Sequence, residues 1–90
     1  MALAFPNKDP NEVLDYQIDW TLRLAGDTIS TSTWTVPAGI TKDSDSNTTT
    51  AATVWLSGGT LGETYELLNR IVTAGARTMD QTVKIKIKSK

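Results

Sequence analysis

The stretch Leu14-Asp15-Tyr16-Gln17-Ile18-Asp19-Trp20-Thr21 decides the fold class. Leu14, Tyr16, Ile18 and Trp20 alternate with Asp15, Gln17, Asp19 and Thr21, and successive side chains of a strand point to opposite faces. The segment is therefore a strand with one buried face and one wet face. The same period returns near the other end, where Val83, Ile85 and Ile87 alternate with Lys84, Lys86 and Lys88 within Thr82 to Lys88. Between them, Tyr65, Leu67, Asn69 and Ile71 share a register within Thr64 to Thr73, and Ala52, Val54 and Leu56 oppose Thr53 and Trp55 within Thr48 to Leu56. Fifteen Thr, six Ile and five Val among 90 residues suit a pleated sheet better than a helix.

The remaining segments connect these runs. Thr28 to Val36 is β-rich, but Ile29, Trp34 and Val36 do not share one phase, which predicts a bulge or bend before the run stops at Pro37-Ala38-Gly39. Gly39 to Asn47 is polar and turn-rich, Ser57 to Gly62 reads as a loop, and Ala25-Gly26-Asp27 and Ala74-Gly75-Ala76-Arg77 read as turns. Leu61 to Ile71 is leucine-rich enough to keep a helical alternative open. Pro6 and Pro10 bias residues 1–13 toward an extended arm, leaving residues 14–90 as one domain. Five strands, a sixth in the arm and turns every 8–12 residues predict a small all-β antiparallel sandwich of about six or seven strands, immunoglobulin-like or fibronectin III-like. Tyr65, just after a Gly-containing corner at the start of a late strand, sits where such sandwiches place a tyrosine corner.

Chemistry is mostly excluded. Without Cys or His there is no disulfide, thiol nucleophile, Cys-type zinc site or imidazole base. Asp43-Ser44-Asp45-Ser46-Asn47 imitates the first three ligand positions of a calcium loop, but position six is Thr48 rather than Gly and position twelve is Val54 rather than Glu. Asp15 and Asp19 share a strand face ~13 Å apart, beyond the ~5–9.5 Å that glycoside chemistry needs. The chain reads as a non-enzyme without metal or cofactor. No stretch reaches the ~18 apolar residues of a membrane span, and Met1 to Phe5 lacks the basic and apolar regions of a secretion signal.

What remains points to contacts with other proteins. Trp20 and Trp34 share faces with apolar residues and read as core, whereas Trp55 stands opposite Ala52, Val54 and Leu56 and reads as outward, where a large ring marks a protein interface or a sugar platform, a second layer of the core being the remaining alternative. The net charge of −1 conceals a split of −6 over residues 1–66 and +5 over residues 67–90. Lys84, Lys86, Lys88 and Lys90 form a stripe that either discourages edge aggregation or meets an acidic neighbour. Without interleaved aromatics or overall basicity it does not read as a nucleic-acid site. Phe5 and Lys8, in the arm, join Trp55, Lys84, Lys86 and Lys88 as candidate partner-binding residues, with the arm adding a strand to a neighbour's open edge.

The sequence also resembles a known family. Lys8-Asp9-Pro10, Leu14-Asp15-Tyr16, Ile18-Asp19-Trp20, Ser32-Thr33-Trp34-Thr35-Val36-Pro37, Val54-Trp55-Leu56-Ser57-Gly58-Gly59-Thr60 and Gly62-x-Thr64-Tyr65-x-Leu67-x-Asn69-x-Ile71 are similar to short structural proteins of tailed phages and prophages of the fiber-tail adaptor type. The resemblance implies an Ig-like structural component of the virion, in the tail or at the fibre attachment region. It would work by contact with other virion proteins or with copies of itself. A capsid decoration protein and a carbohydrate-binding sandwich for host adsorption are the alternatives.

Overall fold

Each alternating strand has one apolar row to bury, and the computed structural model, which describes residues 3–90, shows how the rows meet. The elements in chain order are β1 (Leu3–Ala4), β2 (Leu14–Asp19), α1 (Thr21–Leu24), β3 (Ile29–Thr35), β4 (Ile40–Asn47), β5 (Ala51–Gly58), β6 (Thr64–Thr73) and β7 (Thr78–Lys86). The antiparallel strands β2 to β7 make two sheets of three, ordered β2-β5-β4 and β7-β6-β3, and the short β1 pairs in parallel with the outer edge of β7.

The core is assembled from the inward rows of both sheets. Tyr16 and Ile18 of β2 and Ala52, Val54 and Leu56 of β5 cluster with Ile29 and Trp34 of β3, Leu67 and Ile71 of β6, and Val83 and Ile85 of β7. Full burial of a Val, Leu or Ile contributes ~1.5–3 kcal/mol, so these rows hold the sheets face to face. Asn69, in phase with Leu67 and Ile71, is the polar member of the inward row and is fully buried. Its carboxamide oxygen accepts from the Trp20 indole N–H at 2.9 Å, while its amide donates to Ser32 Oγ at 2.9 Å and to the Thr33 carbonyl at 3.2 Å.

Several local expectations change. Gly39 to Asn47 is not a run of turns: residues 40–47 form β4, paired with β5 from Ile40 opposite Gly58 to Asn47 opposite Ala52. Only Ile40 of β4 is buried, so this edge strand carries no apolar alternation to announce it, and polar residues are what keep an edge from pairing with other chains. Before Ala25, Thr21–Leu24 closes one helical turn that buries Leu24, and the turn ends at Ala25 with φ +50° and Gly26 with φ +91°. β5 starts at Ala51 rather than Thr48, because Thr48 folds back: its N–H donates to the Ala51 carbonyl and its hydroxyl accepts from the Ala51 N–H. β7 starts at Thr78 rather than Thr82, extending the hairpin with β6 to Val72 opposite Thr78. Leu61 to Ile71 is not helical, since Thr64 onward is β6. The phase change in β3 is a register shift between Ile29 and Thr31.

Candidate functional site

The outer faces of the two sheets carry the exposed candidate residues. On the three-stranded sheet the pairing puts Asp15 of β2, Trp55 of β5 and Ser44 of β4 in one row across the strands. Trp55 is 41% exposed in the centre of that face. One row along the strands, Gln17 Nε2 donates to Thr53 Oγ1 at 3.3 Å. On the opposite side of Trp55, Ser57 Oγ donates to Asp43 Oδ1 at 3.0 Å, so the shift of register between Lys42 and Ser44 turns Asp43 onto the Trp55 side. Asp19 completes the acidic row of β2, and the Thr21 hydroxyl and N–H, both donating to Asp19 Oδ1, hold its carboxyl below the usual carboxylate range.

The second face is basic and mixed. Lys84, Lys86 and Lys88 are exposed while Val83, Ile85 and Ile87 between them are buried. Lys84 lies opposite Glu66 and Lys86 opposite Thr64. Farther along, Arg70 grips Asp80 with two bonds, Nε to Oδ1 at 2.8 Å and a terminal guanidinium nitrogen to Oδ2 at 2.9 Å. This pair depresses the Asp80 carboxyl and raises Arg70. Arg70 and Asp80 thus cancel each other within this sheet, leaving Lys84, Lys86 and Lys88 against Glu66 as its remaining strand charge.

Phe5 and Lys8 are placed differently from an outward-reaching arm. Phe5 is half-buried, stacked on Tyr16 with ring centroids 4.7 Å apart and planes at 18°, and tilted toward Trp34 at 6.3 Å. Lys8 is fully buried, with Nζ donating to the Gly58 carbonyl at 2.6 Å and the Asp9 carbonyl at 2.9 Å. Burial pushes its pKa down against the opposing pull of Glu12, Asp9 and Asp43. Both side chains are committed within their own chain, because the arm runs along β7: Phe5 N–H donates to the Lys84 carbonyl and Lys8 N–H to the Lys86 carbonyl. The fold uses the arm as an internal strip.

Trp20 and Trp34 lie in the core, and Trp20 also receives the Arg23 guanidinium over its ring at 4.8 Å. The Tyr65 hydroxyl accepts from the Thr60 N–H at 2.9 Å and rests against Gly39. Of the calcium-like run, Asp43 is held by Ser57 and Asp45 by Lys42 at 3.3 Å, both on the extended β4. Such a strand spreads its oxygens along an edge rather than around an ion. Sequence reasoning did not join Asp15 and Asp43 to Trp55. The outward phase of Asp15 was legible, but its adjacency to Trp55 depends on pairing between strands far apart in the chain.

A charged-aromatic outer face, a lysine-bearing opposite face and a closed apolar interior describe a module that acts through its surfaces. Among curated proteins the comparison finds no match. A family model described as podophage GP4 fiber-tail adaptor protein gp77 matches residues 8–86, a span that includes every antiparallel strand of both sheets. The chain belongs to this podophage fiber-tail adaptor family, whose members are structural parts of the virion and not enzymes.

Proposed function

We propose that this chain joins tail and fibre proteins by protein–protein contact, with Trp55 at the centre of one contact face and Lys84, Lys86 and Lys88 on another. The observation that carries this reading is the exposed Trp55, set in a polar row beside Asp15 and Ser44. A large ring left open on a small domain is the residue type most enriched at interface centres. As a tail component the protein resides in the virion. The test is incorporation of a Trp55→Ala chain into particles that lack the native copy. The variant should fold and yet be missing from purified virions, and normal incorporation would overturn the assignment.

The sandwich also reads as immunoglobulin-like. The orders β2-β5-β4 and β7-β6-β3 correspond to B-E-D and G-F-C of that fold, and the Tyr65 to Thr60 bond corresponds to its tyrosine corner. In this reading residues 14–90 are the single domain and the segment before them is an arm that packs back along its β7 edge. A second reading, glycan binding, is favoured by the polar Gln17, Thr53 and Ser44 around Trp55. Specific binding of the isolated chain on a glycan array, lost with Trp55→Ala, would establish it in place of the protein contact.

A further inference from the structure

The two outer faces are complementary to each other. The face of β2-β5-β4 carries Asp15 and Asp43 beside Trp55, with Asp19 farther along β2, and the one base in these strands, Lys42, is occupied by Asp45 at 3.3 Å. The face of β7 and β6 carries Lys84, Lys86 and Lys88 against Glu66, with Arg70 and Asp80 neutralising each other. Alternate residues of a strand recur every ~6.6–6.8 Å, so the Asp15-Gln17-Asp19 row and the Lys84-Lys86-Lys88 row have the same spacing and can lie in register. Lysine stems cover apolar surface while their ammonium groups reach outward. They therefore suit an indole flanked by carboxylates, where the cation also gains from the ring face. The domain measures 41 × 24 × 20 Å, so its broad faces provide room for the ~800 Å² per partner of a standard interface.

We propose that the Trp55 face binds the Lys84-Lys86-Lys88 face of a second copy of this chain, so that copies stack head to tail. The inference rests on the reading of Trp55 as a contact residue and names what covers it. Because the two surfaces differ, the contact is heterologous: copies close into a ring if the rotation between them closes, and an open stack keeps one unused face of each kind at its ends. One end presents acid and indole, the other lysine.

Sedimentation velocity of the full chain tests this at low ionic strength and in ~1 M salt, where the screening length falls to ~3 Å. The chain should form species larger than a monomer with rising concentration and should lose them in high salt. Asp15→Lys and Lys86→Glu should each abolish self-association while leaving the circular dichroism spectrum unchanged. An equimolar mixture of the two should associate again, since the Lys86→Glu chain keeps its Trp55 face and the Asp15→Lys chain keeps its lysine face, a rescue that a misfolded variant would not show. Overturning results are a monomer at every concentration, association indifferent to both variants, or two silent variants that stay silent when mixed. A monomer whose Trp55→Ala variant still fails to enter virions would overturn the stacking alone and leave the Trp55 contact with a tail or fibre protein in place.

Discussion

The Trp20 indole N–H and the Asn69 side-chain oxygen, 49 positions apart in the chain, meet at 2.9 Å inside the sandwich and tie the end of β2 to the middle of β6. Asn69 makes three side-chain bonds in this buried place, and a buried group that loses its partner costs ~1–3 kcal/mol. Asn69→Leu should therefore destabilise by about 2–4 kcal/mol in urea or guanidinium titrations, although leucine is the more apolar residue. The two buried tryptophans should also differ. Among the described residues the Trp34 indole N–H has no partner, so Trp34→Phe should cost less than Trp20→Phe in the same titration.

Removal of the arm tests what holds the top of the core. Truncation of residues 1–7 takes away the ring stacked on Tyr16 and the Phe5 bond to β7. Full burial of a Phe side chain is worth ~1.5–3 kcal/mol and Phe5 is half-buried, so the truncated chain should lose part of that, unfold at lower denaturant and bind a hydrophobic dye more readily. An unchanged midpoint would mean that the arm contributes nothing to the fold.

The Tyr65 corner has two components that substitution separates. Tyr65→Phe removes the bond from the Thr60 N–H and should cost about 0.5–1.5 kcal/mol with the fold retained. Gly39→Ala should cost more, because its Cβ would stand 2.9 Å from the Tyr65 oxygen and its backbone sits at φ +101°, a region that suits glycine. Equal midpoints for the two variants in thermal melts would contradict this order.

Acid should weaken the protein through identifiable carboxylates. Asp80 is lowered chiefly by the Arg70 side chain, Asp27 by the Thr73 hydroxyl with the Thr28 and Gly75 amides, and Asp9 by the Asn11 and Lys90 amides. Each carboxyl binds its proton less readily folded than unfolded, so its stabilisation is complete above the ordinary values of 3.8 for Asp and 4.5 for Glu and is lost as pH falls through the folded pKa. The denaturant midpoint should be level near neutrality and decline below about pH 4. Asp80→Asn should show a shallower decline, because that position no longer titrates.

Strands whose alternation meets a buried neighbour were legible: β2, β6 and the latter half of β7 announce their inward rows by Tyr16 and Ile18, Leu67 and Ile71, Val83 and Ile85. β4 was not, because after Ile40 its residues meet water on both faces and follow turn-like composition while their backbone pairs with β5. The outward direction of Trp55 follows from phase alone. That Asp15 and Ser44 flank it follows from register, which is set by long-range packing. The placement of Phe5 and Lys8 was not legible for a related reason, since a proline-bearing extended segment looks the same whether it lies on a neighbour or on its own sheet.

The parallel course of the arm beside β7 has a mechanical consequence. The first strand joins β7 beside Val83 and runs in the same direction as β7 toward its Lys86 end, and beyond the β1–β7 pairing the seam is tied by Phe5 to Lys84, Lys8 to Lys86 and Lys88 back to Lys8. A pull applied between the two ends of the chain drags these strands past each other along their length. The seam is then loaded in shear, its bonds together, instead of peeling open one bond at a time. A joint between a tail and a fibre that is tugged by its ends meets its resistance first at that seam, before any strain reaches the apolar interior.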